Sequence, residues 1–253
     1  MENDNQDSQQ KVKALFDARA KLLPDCNSVL DANDNVDVKF QNVYRDYLSR
    51  NLARSVIRPG KNEVILDFGC GVGRLSEFLA KDAGKIIGLD LSDEMLKVAE
   101  KNKKSPNIEY KNTSEIAELQ DNTFDKIFTF WVLQHIEDVT LSKYIEKFHR
   151  LLKDNGTLFV FEQTQTATTN YNDVHIQRAG SDYENLFLQG SFQLIKKKNV
   201  FRFPSYGMDI WTRMGVNSRI TLKMARMVEG FTVNRKPEHA QYYTQLFVFK
   251  KQG

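Results

Sequence analysis

Val64-Ile-Leu-Asp-Phe-Gly-Cys-Gly-Val-Gly-Arg-Leu75 is the stretch that sets the fold of this 253-residue chain. Val64, Ile65 and Leu66 form a short apolar run of the kind needed by a parallel strand covered on both faces. Gly69, Gly71 and Gly73 then remove three side chains in five positions, so the backbone can turn sharply and a ligand can approach it. The next apolar run, Lys85-Ile-Ile-Gly-Leu-Asp-Leu91, ends at Asp90, 21 residues after Gly69. A carboxylate at that separation falls at the tip of the neighbouring strand, where it can accept hydrogen bonds from both hydroxyls of a ribose. The pattern predicts a ligand that carries a nucleoside.

The loop also narrows the choice of nucleoside. A dinucleotide fingerprint carries a third glycine that packs helix on strand. Here that position is Arg74, and the pattern is D-x-G-x-G-x-G from Asp67. Two further stretches join it: Phe124-Asp-Lys-Ile-Phe-Thr-Phe-Trp-Val-Leu-Gln-His135 and Leu151-Leu-Lys-Asp-Asn-Gly-Thr-Leu-Phe-Val-Phe-Glu162. Together with the glycine loop and Asp90, they resemble in order the motifs of class I S-adenosylmethionine-dependent methyltransferases of the small-molecule type. The resemblance covers roughly residues 60 to 165. It implies an α/β, Rossmann-like, doubly wound sheet of seven strands, mostly parallel with an antiparallel last strand. It also implies S-adenosyl-L-methionine as the cofactor.

Composition fits a globular chain, with 41% hydrophobic and 27% charged residues. No run approaches the ~20 apolar residues that cross a bilayer. The polar start, Met1-Glu-Asn-Asp-Asn-Gln-Asp-Ser8, is unlike a secretory signal. With only Cys26 and Cys70, a disulfide framework is not expected, and a cytoplasmic home is. No zinc-type Cys/His spacing is present, so no metal is expected. The net charge is +3, and the one dense basic run, Lys196-Lys-Lys198, reads as the solvated end of a strand.

The chain reads as one domain over 1–253. Residues 1–58 form a helical N-terminal cap, 59–165 the cofactor-binding core, and 166–253 a substrate-side half with a helical insert at 204–230. Spacing predicts helices over 8–22 and 38–57, with Pro24 and the Asn/Asp-rich stretch 25–35 between them. Arg19 falls on the apolar face of the first helix, so its stem must lie along that face. Strands are expected near 63–68, 85–90, 107–112, 125–131 and 157–163, and helices near 73–82, 93–103 and 138–153. Asp154-Asn155-Gly156 supplies a turn, 164–172 a polar loop, 183–188 a short helix and 190–195 a sixth strand. By resemblance, the strand 241–249 pairs antiparallel between strands five and six.

Ligands of open parallel sheets bind outside the carboxyl ends of the strands. Gly69, Cys70 and Gly71 are candidates for the cofactor backbone cradle, and Asp90 with Leu91 for its ribose. Asp90 has a competing role in capping the next helix, which Ser92 fits better. Thr113 and Ser114 end the third strand, where the family often places an acidic residue near the adenine; this chain departs from that. Asp67 reads as a carboxylate supporting the loop, or as a second contact. Phe130 implies a backbone carbonyl for the cofactor amine, and Arg45 an anchor for its carboxylate. His135 reads equally as a general base or as packing, with His175 and His239 behind it. Glu162, Arg178 and Tyr183, with Gln163, are placed on the acceptor side.

The expected activity is O- or N-methylation of a small molecule: a sugar, a lipid-linked precursor or a specialised metabolite. The alternatives are methylation of tRNA or protein, and a cofactor-binding subunit without chemistry. No Asn-Pro-Pro-Tyr-type motif follows strand four and no separate RNA-binding segment is visible, so nucleic acid is not the expected partner. An oligomer stays open.

Overall fold

The computed structural model describes residues 2–22, 36–172, 174–203, 219–233 and 242–252. Nine strands are labelled β1 (Val64–Phe68), β2 (Lys85–Asp90), β3 (Ile108–Asn112), β4 (Phe124–Phe130), β5 (Leu152–Thr164), β6 (Thr169–Asn172), β7 (His175–Gln177), β8 (Phe192–Phe203) and β9 (Tyr242–Lys251). The helices are α1 (Glu2–Leu22), α2 (Val36–Ile57), α3 (Arg74–Ala80), α4 (Asp93–Asn102), α5 (Asp138–Leu151), α6 (Gly180–Gln189) and α7 (Arg219–Thr232).

Seven strands form one sheet in the order β3-β2-β1-β4-β5-β9-β8. The strands from β1 to β5 pair in parallel, and β9 runs antiparallel to both β5 and β8. The strand order reverses between β1 and β4, which is where an open α/β sheet leaves a crevice at its carboxyl edge. This is the doubly wound, Rossmann-like fold that the motifs imply.

Strand periodicity builds the two layers. Leu66, Ile127 and Phe247 pack on one face with Ile145 and Phe148 of α5 and Phe187 of α6. Their chain neighbours Ile65, Phe128 and Leu246 point to the opposite face, against Ala53 and Ile57 of α2 and Leu75 and Leu79 of α3. Both faces are therefore apolar and both are covered, the condition for near-continuous hydrophobic strands.

Four local readings need revision. The Asp154-Asn155-Gly156 turn lies inside β5, where the register steps from Phe124↔Leu152 to Lys126↔Thr157 and the extra residues bulge out. Part of the polar loop pairs as the hairpin β6-β7. Strand β8 extends to Phe203, so Lys196–Lys198 lie exposed in the middle of an edge strand, a placement that discourages strand-to-strand association. Helix α1 starts at Glu2, and the guanidinium of Arg19 lies 5.4 Å from the Phe16 ring centroid.

Pro24, Cys26, the stretch 25–35, the first part of the insert (204–218), His239 and Gln241 lie outside the described residues. Among the described residues, no helix is long and apolar enough to cross a membrane.

Candidate active site

A cavity of about 370 Å³ opens at the carboxyl ends of β1, β2 and β4, a size within the ordinary range for small-molecule sites. Its floor is the glycine loop. Gly69, Gly71 and Gly73 have φ of 80°, 54° and 74°, the left-handed region where a side chain is strained. A Cβ on Gly69 would lie 2.3 Å from a Val132 methyl, and one on Gly73 would lie 2.1 Å from the Tyr110 hydroxyl. Both the turn and the close packing therefore require glycine.

Asp90 joins this loop to the next helix. Its Oδ2 accepts the Gly71 amide at 2.8 Å and its Oδ1 the Ser92 amide at 2.9 Å. Burial pushes its pKa up, while the amides of Ser92, Gly71 and Leu91 pull it back. A carboxylate has about four acceptor sites, so it keeps some capacity for a ligand donor beyond these amides. The helix α4 is capped by Ser92, whose Oγ accepts the Met95 amide at 3.1 Å.

Gly69, Gly71, Asp90, Leu91, Thr113, Phe130, Arg45 and His135 all line the cavity. Three other candidates for the cofactor side do not. Asp67 is buried behind the loop, accepts the Ser76 hydroxyl at 2.6 Å and is pushed up to about 7 by desolvation. The buried Cys70 contacts Gly71 O with its Sγ at 3.8 Å, and burial raises its thiol pKa well above the usual value. Ser114 is exposed and donates from its amide and its hydroxyl to Asn112 Oδ1, at the start of a short 3-10 turn. These residues support the loop and turn rather than face the cavity.

Arg45 is 8% exposed, on the inward face of α2. Arg74, which the sequence used only to exclude a dinucleotide motif, fastens that helix in place. Its guanidinium donates to Asp46 at 2.9 Å and to Ser49 at 2.6 Å. The sequence placed a helical cap at 1–58 but not the residues of α1 that face the cavity. Gln9, Val12, Phe16 and Arg19 of α1 line the cavity, and Asp17 accepts from the Ser92 hydroxyl and the Glu94 amide at the start of α4. The spacing of 12, 16 and 19 signalled a buried face, but nothing in it distinguished core from cavity.

Another wall of the cavity is built by the loop after β4. Phe130 stacks on Phe161 with centroids 4.8 Å apart, and Trp131 donates from Nε1 to Thr244 Oγ1 at 3.0 Å. His135 Nδ1 lies 2.7 Å from the Val174 carbonyl. Only a donor bonds a carbonyl, so the proton sits on Nδ1 and Nε2 is an acceptor. Burial pushes the ring down to about 4, so it is neutral near pH 7 and a poor match for removing a proton there.

That shift carries a stability consequence. The unfolded chain takes up this proton near 6.5 and the folded chain near 4, so the unfolded state binds more protons between those values. Stability is present above 6.5 and is lost as pH falls toward 4, by up to about 3 kcal/mol. The urea midpoint of His135→Asn should fall less steeply than that of the wild type over this window. Parallel slopes would show that the imidazole is not buried as a neutral ring.

Glu162, Arg178 and Tyr183 do not face the cavity and are 0%, 1% and 0% exposed. Side chains alternate along a strand, so Gln163 reaches the cavity while Glu162 turns beneath the loop after β4. His175 lines the cavity. His149 bonds the Gln252 carbonyl, far along the chain.

The site is thus a cavity at the switch point of a doubly wound sheet, walled by a glycine loop and a strand-end carboxylate. Residues 66–160 match the family model described as a methyltransferase domain. Phosphoethanolamine N-methyltransferase 1 of Triticum aestivum is 31% identical over 125 residues, covering 45% of this chain and 24% of the relative. A ubiquinone biosynthesis O-methyltransferase of Pelagibacter ubique is 30% identical over 128 residues, covering 50% and 51%. A SAM-dependent methyltransferase structure from Leishmania major superposes with a TM-score of 0.66 at 18% identity, covering 96% of this chain and 83% of that one. Over residues 66–160 the chain is thus similar to the methyltransferase domain, and its fold is that of solved S-adenosylmethionine-dependent methyltransferases. The chain spans between 24% and 51% of the length of the first curated relatives it matches.

Proposed function

We propose that this protein binds S-adenosylmethionine in the cavity and transfers its methyl group to the oxygen or nitrogen of a small molecule. The observation that carries this reading is one wall bearing both features: a glycine loop held at positive φ whose Gly69 and Gly71 line the cavity, and the strand-end carboxylate of Asp90 beside them. In it, Asp90 takes the ribose hydroxyls, and Arg45 takes the carboxylate at the other end. Thr113 and Leu91 border the adenine. Relatives that act on phosphoethanolamine and in ubiquinone biosynthesis support a small acceptor over a macromolecule. A cytoplasmic setting belongs to the same proposal and rests on the two-cysteine composition.

The cofactor supplies an already activated methyl on a sulfonium, so the protein's task is alignment and exclusion of water. Well-aligned reactants reach effective molarities of ~10⁵–10⁸ M. Neutral His135 suits this task through Nε2, which Gln134 Nε2 approaches at 3.4 Å and which can accept instead from a substrate N–H or O–H and so orient its lone pair. Trp131 and Phe130 line the cavity, where an aromatic ring near a cationic centre contributes ~0.5–2 kcal/mol.

Titration calorimetry with S-adenosylmethionine, followed by transfer of labelled methyl to a panel of small amines, phenols and quinols, tests the reading. No binding, or equal binding of a nicotinamide dinucleotide, would overturn it. Since α1 roofs the cavity, protease cleavage within residues 1–45 should slow at least several-fold when the cofactor is added. Equal rates with and without it would remove α1 and Arg45 from the binding account.

A further inference from the structure

Five of the six residues from Trp131 to Ile136 line the cavity: Trp131, Val132, Gln134, His135 and Ile136. This loop has little regular structure of its own, only a single 3-10 turn over Leu133–His135. It begins with Trp131 at φ 59°, a conformation that an L side chain keeps only when its surroundings hold it there. Two buried charges grip it from opposite directions. From the end of β5, Glu162 Oε1 accepts the amides of Val132 at 2.8 Å and Leu133 at 2.9 Å, and the Gln134 amide adds to them. From the residue after β7, Arg178 donates to the carbonyls of Leu133 at 2.8 Å and of Ile136. The same guanidinium bonds Asp138 of α5 at 2.8 and 2.6 Å, and lies 5.5 Å from the Tyr183 ring centroid.

Burying two charges this deeply is costly, and a turn can be closed without them. Glu162 Oε2 even lacks a hydrogen-bond partner among the described residues. The amide side and the carbonyl side of one loop are instead each assigned a charge, and each charge comes from a different element. We propose that Glu162 and Arg178 are positioning residues, which touch no ligand but set the loop 131–136 and with it the acceptor half of the cavity. The proposal rests on the methyltransferase reading above. Misplacing reactants by ~1 Å can cost ~10²-fold in rate, so a loop held at both its donors and its acceptors is a means of alignment.

A pH signature follows from the same contacts. Desolvation pushes the Glu162 carboxyl up to about 7, against the pull of the loop amides and of Arg178. The other groups bearing on it are Tyr183 of α6 and Asp138 through Arg178; the imidazole of His135, in the same loop, faces Val174 and His175. The ionised carboxylate is the stronger acceptor for the amides, so the loop loosens as pH falls through neutrality.

Glu162→Gln and Arg178→Lys test this, the second guarding against a fold that fails in the first. Once circular dichroism shows a folded chain, amide exchange at 131–136, cofactor affinity and the kinetics for a methylated acceptor are measured. Expected are at least tenfold faster exchange in that segment with β1 and β4 unchanged, cofactor affinity within threefold, and kcat down ~10–100-fold with a smaller change in KM. Wild-type kcat should drop below pH 7, while that of Glu162→Gln stays flat. Unchanged exchange and kcat in either folded variant would overturn the proposal, as would faster exchange spread through the whole sheet. If the wild type methylates no acceptor, the functional reading fails on its own, and the exchange pattern still decides whether the pair holds the loop.

Discussion

Asp90→Ala is expected to weaken S-adenosylmethionine binding by ~10²–10⁴-fold, read by titration calorimetry. Hydrogen bonds to a charged group contribute ~1.5–3 kcal/mol each, and every 1.4 kcal/mol is about tenfold in affinity. Two bonds to the ribose account for that range. The carboxylate also accepts the amides of Gly71 and Ser92, so the variant loosens the glycine loop against the start of α4 as well. Asp90→Asn separates these effects, because its one amide oxygen still accepts from an N–H while its charge is gone. It should bind at an intermediate level. An affinity within threefold of wild type for Asp90→Ala would remove Asp90 from the cofactor site.

Gly69→Ala should cost about 2–5 kcal/mol of stability and lower cofactor affinity more than tenfold. A left-handed residue with a Cβ costs ~1–2 kcal/mol. Gly69 sits at φ 80°, and its new methyl would lie 2.3 Å from Val132, an overpacking that typically adds ~1–3 kcal/mol. Val132 lines the cavity, so relieving the clash deforms the loop that faces the ligand. At this chain length the loss corresponds to a Tm lower by roughly 5–15 °C in a thermal scan. Gly230→Ala is the control: no atom lies within 4 Å of its Cβ position in α7, and the substitution should raise stability by ~0.5–1 kcal/mol. A Tm for Gly69→Ala within 2 °C or so of wild type would show that the loop is free to rearrange.

The sequence by itself determined the strands of the core, their alternation with helices and the requirement for glycine at the loop. These are local properties. The period of apolar residues in Ile65-Leu66 or Ile127-Phe128 sends neighbours to opposite faces of the sheet, and three glycines after a strand permit positive φ whatever lies far away. The strand-end carboxylate of Asp90 was legible for the same reason, since one βαβ unit sets its distance from the loop.

Only the tertiary structure decided which polar groups face the cavity and in what state. Glu162 and Gln163 are adjacent and similar in sequence, yet one is buried under a loop and the other lines the cavity. Arg178 and Asp67 are charged residues near the motifs, but partners in space turned them inward. Residues of α1 became a roof through Asp17, whose bond to Ser92 spans 75 positions. The proton of His135 is set by a carbonyl 39 residues away and its low pKa by burial, neither of which any local pattern encodes. Desolvation and long-range hydrogen bonding act on the folded arrangement alone, so the chemistry of these side chains exists only once the chain has closed around them.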